Sequence, residues 1–125
     1  MSIAVQKFLD DLVALGYAPE LVTASNGQQF AIIRNFQVEL GRFAGKIIDL
    51  GLPAQLDYPR MVGQSIQVKS DPKLLDNSDS QSGIRNIIDS PLGGEWRYWS
   101  YRFTAYPEET ANQLMVQING VFKRI

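Results

Sequence analysis

The sequence contains no cysteine and no histidine among its 125 residues. Without cysteine there is no disulfide, no thiolate nucleophile and no iron–sulfur or cysteine-ligated zinc site. Without histidine the chain lacks the usual general base of near-neutral pKa and the commonest ligand of transition metals. Catalytic triads that combine serine or cysteine with histidine are therefore excluded. Any catalysis would depend on carboxylates, lysine, tyrosine or backbone amides, so an enzyme is the less favoured interpretation.

A strong charge imbalance and long apolar runs are also missing. Twelve basic residues stand against thirteen acidic ones, and the net charge of -1 gives no electrostatic footprint for nucleic acid or an anionic membrane. No apolar run approaches the roughly 20 residues that a membrane-spanning helix needs. The N-terminus lacks the basic segment followed by an apolar one that is typical of a secretory signal. We therefore expect a cytoplasmic protein with no nucleic-acid or membrane partner.

The polar stretch 70–83 has the lowest hydrophobicity in the chain and carries Asp71, Asp76 and Asp79. Carboxylates separated by oxygen-bearing side chains can bind calcium. These three lack the alternate-residue spacing and the closing glutamate of a calcium-binding loop. We therefore predict a solvent-exposed loop here, and we expect no metal and no cofactor.

Two segments have the apolar periodicity of amphipathic helices. At the N-terminus, Ser2 offers an N-cap side chain, apolar residues recur at helical spacing from Val5 to Leu15, and Gly16 suits a C-terminal stop. Near the C-terminus, Pro107 suits a first helical turn, and an apolar stripe runs from Ala111 to Ile125. We predict a helix at each end of the chain.

Between these helices the pattern changes to that of strands. Runs rich in β-branched and aromatic residues, bounded by glycines, predict strands at 30–36, 37–40 and 46–52, and the alternation around Ile66 and Val68 predicts a fourth. Short connections favour an antiparallel meander of three to four strands. Residues 1–125 are thus predicted to form a single α+β domain.

Both tryptophans lie in one segment, from Ser90 to Ser100, behind a turn that contains proline and glycine. Large aromatic side chains are costly to leave in water, so they must pack in the core, on a ligand or on a partner. We interpret the segment as an irregular aromatic-rich stretch between the sheet and the last helix. A spacing of three residues in an extended chain directs Trp96 and Trp99 to opposite sides. We expect Trp99 to lie mostly in the core and leave Trp96 open.

Several motifs, taken in order, resemble those of a known family. Gly-Arg-Phe-Ala-Gly-Lys at 41–46 is followed by Asp-Leu-Gly-Leu-Pro at 49–53, by Asp-Tyr-Pro at 57–59 and by Ser-Pro-Leu-Gly and Trp-x-x-Trp-Ser within 90–100. The chain resembles, over about residues 28–125, the prokaryotic ubiquitin-conjugating-enzyme-like (UBC-fold) family of bacterial ubiquitin-like modifier systems. The resemblance implies a UBC-like layout, with an N-terminal helix, an antiparallel meander and a C-terminal helix.

The resemblance also implies where a reaction site would lie. Conjugating enzymes of this family carry the modifier as a thioester on a cysteine. Because this chain has no cysteine, the resemblance implies a non-catalytic binding or accessory module. Asn86 and Ser90 fall in the vestigial active-site region. Asn86 matches an asparagine that steadies an oxyanion in the family, or it makes a local backbone hydrogen bond. Ser90 replaces the missing cysteine, or it simply begins a native Ser-Pro-Leu-Gly turn.

The partners implied by the resemblance are a ubiquitin-like modifier, an activating enzyme or another conjugating enzyme. Tryptophan, tyrosine and arginine are the residues that most often anchor interfaces. On that basis the candidate partner-binding residues are Tyr58, Trp96, Arg97, Tyr98, Trp99 and Tyr101. The alternative is that Trp96 and Trp99 fill the space between the sheet and the C-terminal helix.

Two other functions stay open. The first is a small enzyme domain that works through carboxylates, for which the candidates are Asp49, Asp57, Asp89, Glu95 and Glu108. It requires two carboxylates that converge in one partly apolar cleft. The second is a structural subunit unrelated to modifiers.

Overall fold

The computed structural model describes residues 2–56, 58, 65–71, 73–75, 84–101 and 111–124. Its elements, in chain order, are α1 (Ile3–Ala14), β1 (Pro19–Thr23), β2 (Gln29–Gln37), β3 (Ile47–Pro53), β4 (Ser65–Lys69), β5 (Ile84–Ser90), β6 (Gly93–Tyr101) and α2 (Ala111–Arg124). The predicted α+β class and the helix at each end are confirmed. Neither helix in the described part of the chain combines the length and apolar character that crossing a membrane requires.

Helix α1 forms as its sequence pattern predicts. The Ser2 hydroxyl accepts a hydrogen bond of 3.0 Å from the Val5 N–H group and so caps the first turn. Val5, Phe8 and Leu12 make the buried stripe. The helix stops before Gly16, whose φ of 97° is a left-handed conformation that glycine adopts without strain.

The sheet has six antiparallel strands in the order β1-β2-β3-β4-β6-β5. The predicted strands at 30–36, 46–52 and around Ile66 correspond to β2, β3 and β4, which form an antiparallel meander together with β1, whereas the expectation of only three to four strands was wrong. Strand β1 escaped prediction because it is short, half-buried and begins at Pro19, a position that a sheet tolerates at the start of an edge strand. The separate strand expected at 37–40 is not present, because β2 ends at Gln37 and the chain turns there.

The aromatic segment is a regular hairpin, so the interpretation of an irregular stretch was wrong. Strands β5 and β6 are joined by Pro91 and Leu92 alone, and Ser90 pairs with Gly93, whose φ is 134°. Glycine adopts this positive φ without strain, so Gly93 lets the chain pass from the turn into β6. Strand β6 then pairs with β4 and becomes an interior strand of the sheet.

Both helices pack against one face of the sheet, which we call the helix-covered face. Its core joins α1 and α2 to alternate residues of β2, β3, β4 and β6, including Phe8, Leu50, Trp99, Ile118 and Phe122. These side chains are buried to near completeness. Burial of these apolar side chains makes the main hydrophobic contribution to the stability of the described fold.

On the opposite face the described residues place no helix, and this helix-free face has a smaller cluster of its own. It contains Ala24, Phe30, Ile32 and Trp96, with Val22 and Leu92 packed against it. The Ser25 hydroxyl in the β1–β2 turn donates a 3.2 Å hydrogen bond to the Pro91 carbonyl oxygen in the β5–β6 turn. These turns belong to opposite ends of the strand order, so their contact shows that the sheet curls over the small cluster.

Gly51 lies at a crowded position of β3. A Cβ atom at this central β3 position would stand 3.0 Å from Cβ of Gln67 and 3.2 Å from Cδ1 of Ile32. Side chains of the two neighbouring strands therefore close over the glycine, which permits the close approach.

Candidate functional site

The six candidate partner-binding residues do not form one surface. Trp99 and Tyr101 lie on the helix-covered face and Trp96 on the helix-free face, because side chains alternate along β6. Trp99 is 1% exposed and Trp96 is 7% exposed. Tyr58 and Tyr101 are also buried, so only Arg97 and Tyr98 retain appreciable exposure.

Trp99 and Tyr101 are core residues. The Trp99 ring packs on Phe122 of α2, with ring centroids 5.6 Å apart. This contact joins the hairpin to the C-terminal helix, so Trp99 has the space-filling role that the sequence left open for both tryptophans, whereas Trp96 lies on the other face. Burial raises the pKa of Tyr101 above its ordinary value, because a phenolate would be poorly solvated there.

Tyr58 holds the segment after β3 against α1. Its ring lies 4.9 Å from that of Phe8, and its hydroxyl donates a 2.6 Å hydrogen bond to Asp11. Burial, followed by the hydrogen bond to Asp11, raises the pKa of Tyr58 above its ordinary value. Both interactions are internal to the fold, so Tyr58 links the segment after β3 to α1.

Arg97 and Tyr98 remain partly accessible, but Arg97 is largely engaged. Its Nη1 atom donates to the carbonyl oxygens of Gly94 and Trp96 at 3.0 and 2.8 Å and lies 3.9 Å from Asp89. Tyr98 is half-buried and pairs in register with Ile88 of the edge strand β5. Ile88 is 50% exposed, and the side chains of Tyr98 and Ile88 form the accessible apolar part of the hairpin.

Ser90 has a structural environment. Its hydroxyl donates a 2.7 Å hydrogen bond to Oε1 of the fully buried Gln67 and accepts a 3.1 Å hydrogen bond from the Leu92 N–H group. Both interactions fix the β5–β6 turn. An amide oxygen is no general base, so nothing in this pair activates the hydroxyl as a nucleophile. Asn86 lies on β5 in register with Ser100, and its side chain is outside the described residues.

A groove crosses one end of the sheet, and we call it the charged groove. Its volume is about 570 Å³, and it is lined by residues of β2, β3, β4, β6 and the segment after β4: Asn35, Ile47, Ile48, Asp49, Lys69, Ser70, Asp71, Lys73 and Glu95. Three carboxylates and two ammonium groups share this lining, so it is polar without a dominant sign of charge.

Two sets of ion pairs lie at the groove, one over β1, β2 and β3 and the other over β4 and β6. Arg34 on β2 lies 3.5 Å from Glu20 on β1 and 3.0 Å from Asp49 on β3. Asp49 is in register with Lys69 on β4, whose ammonium group lies 3.1 Å from Glu95 on β6. Charges of alternating sign thus follow one another from strand to strand. The hydrogen bond to Asp49 is the largest of the contributions that raise the pKa of Arg34.

A β-bulge helps to hold Asp49. The pairing of β2 with β3 shifts between Ile33 and Phe36, and Asn35 in the bulge has a φ of 54°. Asparagine tolerates this left-handed conformation better than most residues. The bulge allows the Asn35 N–H group to donate a 3.2 Å hydrogen bond to Asp49 Oδ1, while Arg34 binds Oδ2. Both carboxylate oxygens are therefore engaged.

The carboxylate candidates do not make an acid–base pair among the described residues. Asp49 and Glu95 line the same groove, but each is paired with a cation, and Asp89 lies beside Arg97 on the hairpin. Asp57 and Glu108 fall outside the described residues, as do Asp76 and Asp79 of the polar stretch. In the described ranges, no group of three or more acidic side chains could hold a metal ion.

Sequence reasoning missed the charged groove because its lining is scattered along the chain from residue 35 to residue 95. Only the register of the sheet brings these residues together. The available signal was the alternation of charge between the ends of neighbouring strands, but it can be recognised only when the strand order is known.

Comparison with protein-family models, with curated proteins and with solved structures finds no match.

Proposed function

We propose that this protein is a non-catalytic, ubiquitin-conjugating-enzyme-like binding or accessory module of a bacterial ubiquitin-like conjugation pathway, and that it acts in the cytoplasm. Its partners are a ubiquitin-like modifier, an activating enzyme or another conjugating enzyme. The order of α1 and the β1–β4 meander supports the layout that the sequence motifs imply.

The observation that carries the non-catalytic part is the environment of Ser90. A nucleophile needs a free lone pair, an adjacent base and access to the acceptor. Here the hydroxyl is buried, donates to an amide oxygen and accepts from the backbone of its own turn. Ser90 therefore stabilises the hairpin, and the chemistry of modifier transfer belongs to a partner.

The binding part is tested by titrating the labelled protein with the modifier, the activating enzyme and the conjugating enzyme encoded near its gene. We expect saturable binding to at least one of them, measured by fluorescence anisotropy. Binding to none of the three would overturn the proposal and favour a structural subunit.

The non-catalytic part is tested with Ser90→Cys in the presence of modifier, activating enzyme and ATP. We expect no reductant-sensitive adduct, because position 90 is buried and hydrogen-bonded in the turn. Ser25→Cys, an exposed serine of the neighbouring turn, is the matched control for nonspecific loading. Selective loading of cysteine at position 90 would mean that the site is poised for transfer.

A further inference from the structure

An apolar notch adjoins the charged groove. It lies between the loop that joins β2 to β3 and the segment after β4, has a volume of about 180 Å³, and is lined by Phe43, Lys46, Ile47, Ser70, Asp71, Lys73 and Leu74. Ile47 is 61% exposed, although it begins a strand of the sheet. An exposed apolar centre with a polar rim is the organisation of a protein-binding surface.

The cations around the notch are available for a partner. In the described part of the chain, Arg42, Lys46 and Lys73 are exposed and have no ion-pair partner. The Arg42 guanidinium lies 4.7 Å from the centroid of the Phe43 ring, which holds this charge beside the apolar wall.

The anions nearby are mostly neutralised. Asp49 is paired with Arg34 and Glu95 with Lys69, as described above. Glu39, in the same loop as Arg42, lines a separate hollow beside Tyr17. Among the described residues, Asp71 is the one acidic residue that lines the notch. The free charge that the described residues place around the notch is therefore positive, although the chain as a whole has a net charge of -1.

The notch and the charged groove are continuous. Ile47, Ser70, Asp71 and Lys73 line both of them. Together they make one hollow whose lining includes residues of the β2–β3 loop and of the ends of β3 and β4. An extended polypeptide can contact the apolar part and the charged part of this hollow at the same time.

We propose that the notch binds an extended polypeptide segment of a partner protein, in which one apolar side chain is flanked by aspartate or glutamate. The apolar side chain packs between Phe43, Ile47 and Leu74, and the flanking carboxylates pair with Arg42, Lys46 and Lys73. A nucleic-acid backbone offers phosphates but no apolar side chain for the apolar centre of the notch, so a nucleic acid fits less well. This inference rests only on the binding part of the proposed function.

The test uses NMR titration of the isotope-labelled full chain with a synthetic peptide whose central leucine is flanked on both sides by aspartate and glutamate. We expect chemical-shift changes confined to residues 42–47 and 69–75. A peptide with lysine at the flanking positions, and one with serine in place of leucine, should bind at least about tenfold more weakly.

Variants of the chain separate the notch from other surfaces. Ile47→Ser and Lys46→Glu should each weaken peptide binding by about tenfold. Val116→Ser, at an equally exposed apolar position on α2, and Lys123→Glu should leave it unchanged. Thermal unfolding of each variant checks that the fold is intact.

Several outcomes would overturn the inference. These are shift changes that map to Tyr98 and Ile88, equal binding of the basic peptide, preferential binding of an oligonucleotide, or no shift changes at millimolar peptide. If a pathway partner binds but Ile47→Ser and Lys46→Glu have no effect, the notch assignment fails and the proposed function survives. If the acidic peptide binds as expected and no pathway partner does, the proposed function alone fails.

Discussion

The two faces of the sheet are sealed by different means. On the helix-covered face two amphipathic helices bury a continuous apolar core, and Trp99 is one residue of many. On the helix-free face a curled sheet and Trp96 close a small cluster, beside which Ser65, Gln67, Ser90 and Ser100 are buried. The same hairpin thus contributes one tryptophan to a large core and the other to a cluster with few other members.

Replacing Trp99 with alanine should have the largest effect. It removes the ring that packs on Phe122 and leaves a cavity between sheet and α2, for which we expect a loss of about 4–5 kcal/mol in the free energy of unfolding. Urea denaturation followed by circular dichroism measures it. Trp99→Phe should recover most of the loss, because it retains an aromatic contact. An alanine variant of unchanged stability would contradict the placement of Trp99 in the core.

Trp96→Ala should cost less, about 2–3 kcal/mol, because the cluster it seals is smaller and Trp96 is not completely enclosed. The same denaturation experiment gives the comparison. We also expect hydrogen exchange to accelerate in the β1–β2 and β5–β6 turns, whose contact Trp96 supports, while α2 stays protected. An equal loss of protection throughout the chain would show that the two faces unfold as one unit.

The sequence predicted what depends on local periodicity. Val5, Phe8 and Leu12 repeat at helical spacing, and Ile66 and Val68 alternate as one face of a strand should. Strand β6 could not be predicted in this way. Both of its faces are partly buried, so Trp96 and Trp99 interrupt any simple alternation of apolar and polar residues. A strand buried on both sides carries no period-two signal.

The candidate site depended on information that is not local. Arg34, Asp49, Lys69 and Glu95 come together only through strand order and register. The aromatic segment attracted attention because of its composition, but most of its large side chains are used within the fold. The UBC-like layout and the role in a modifier pathway remain predictions.

The link between α1 and the segment after β3 can be weakened without making a cavity. Tyr58→Phe keeps the ring against Phe8 but removes the hydrogen bond to Asp11, so we expect a loss of about 1–2 kcal/mol in the free energy of unfolding.

The wild-type protein should also lose stability as the pH rises above 10.0, the ordinary tyrosine pKa. The pKa of Tyr58 is higher in the folded state than in the unfolded state, so unfolding in this pH range releases the phenolic proton. Tyr58→Phe should reduce that slope in alkaline denaturation, and Tyr17 and Tyr101, whose pKa values are also raised, should account for what remains. An unchanged slope would contradict the burial and the hydrogen bond that raise the pKa of Tyr58.

Ser90→Ala tests the polar part of the helix-free face. It leaves the buried Gln67 oxygen without its donor and the Leu92 N–H group without its acceptor, for which we expect a loss of about 1 kcal/mol. Ser25→Ala is the matched control, since its hydrogen bond to Pro91 is exposed and should contribute less. If the two variants unfolded at the same urea concentration, Ser90 would have no special part in the turn.

The ion pairs across the charged groove should contribute least to stability. Arg34 and Glu20 are about half exposed, and water and salt screen such pairs, so Arg34→Gln should cost about 0.5 kcal/mol or less. The effect should shrink further when unfolding is measured in high salt, whereas the loss in Trp96→Ala should not. A large, salt-insensitive loss would mean that Arg34 supports the bulge at Asn35 through Asp49. The ion pairs of Arg34 would then help to hold the curled, helix-free face, and the Trp96 cluster would no longer be the main stabilisation of that face.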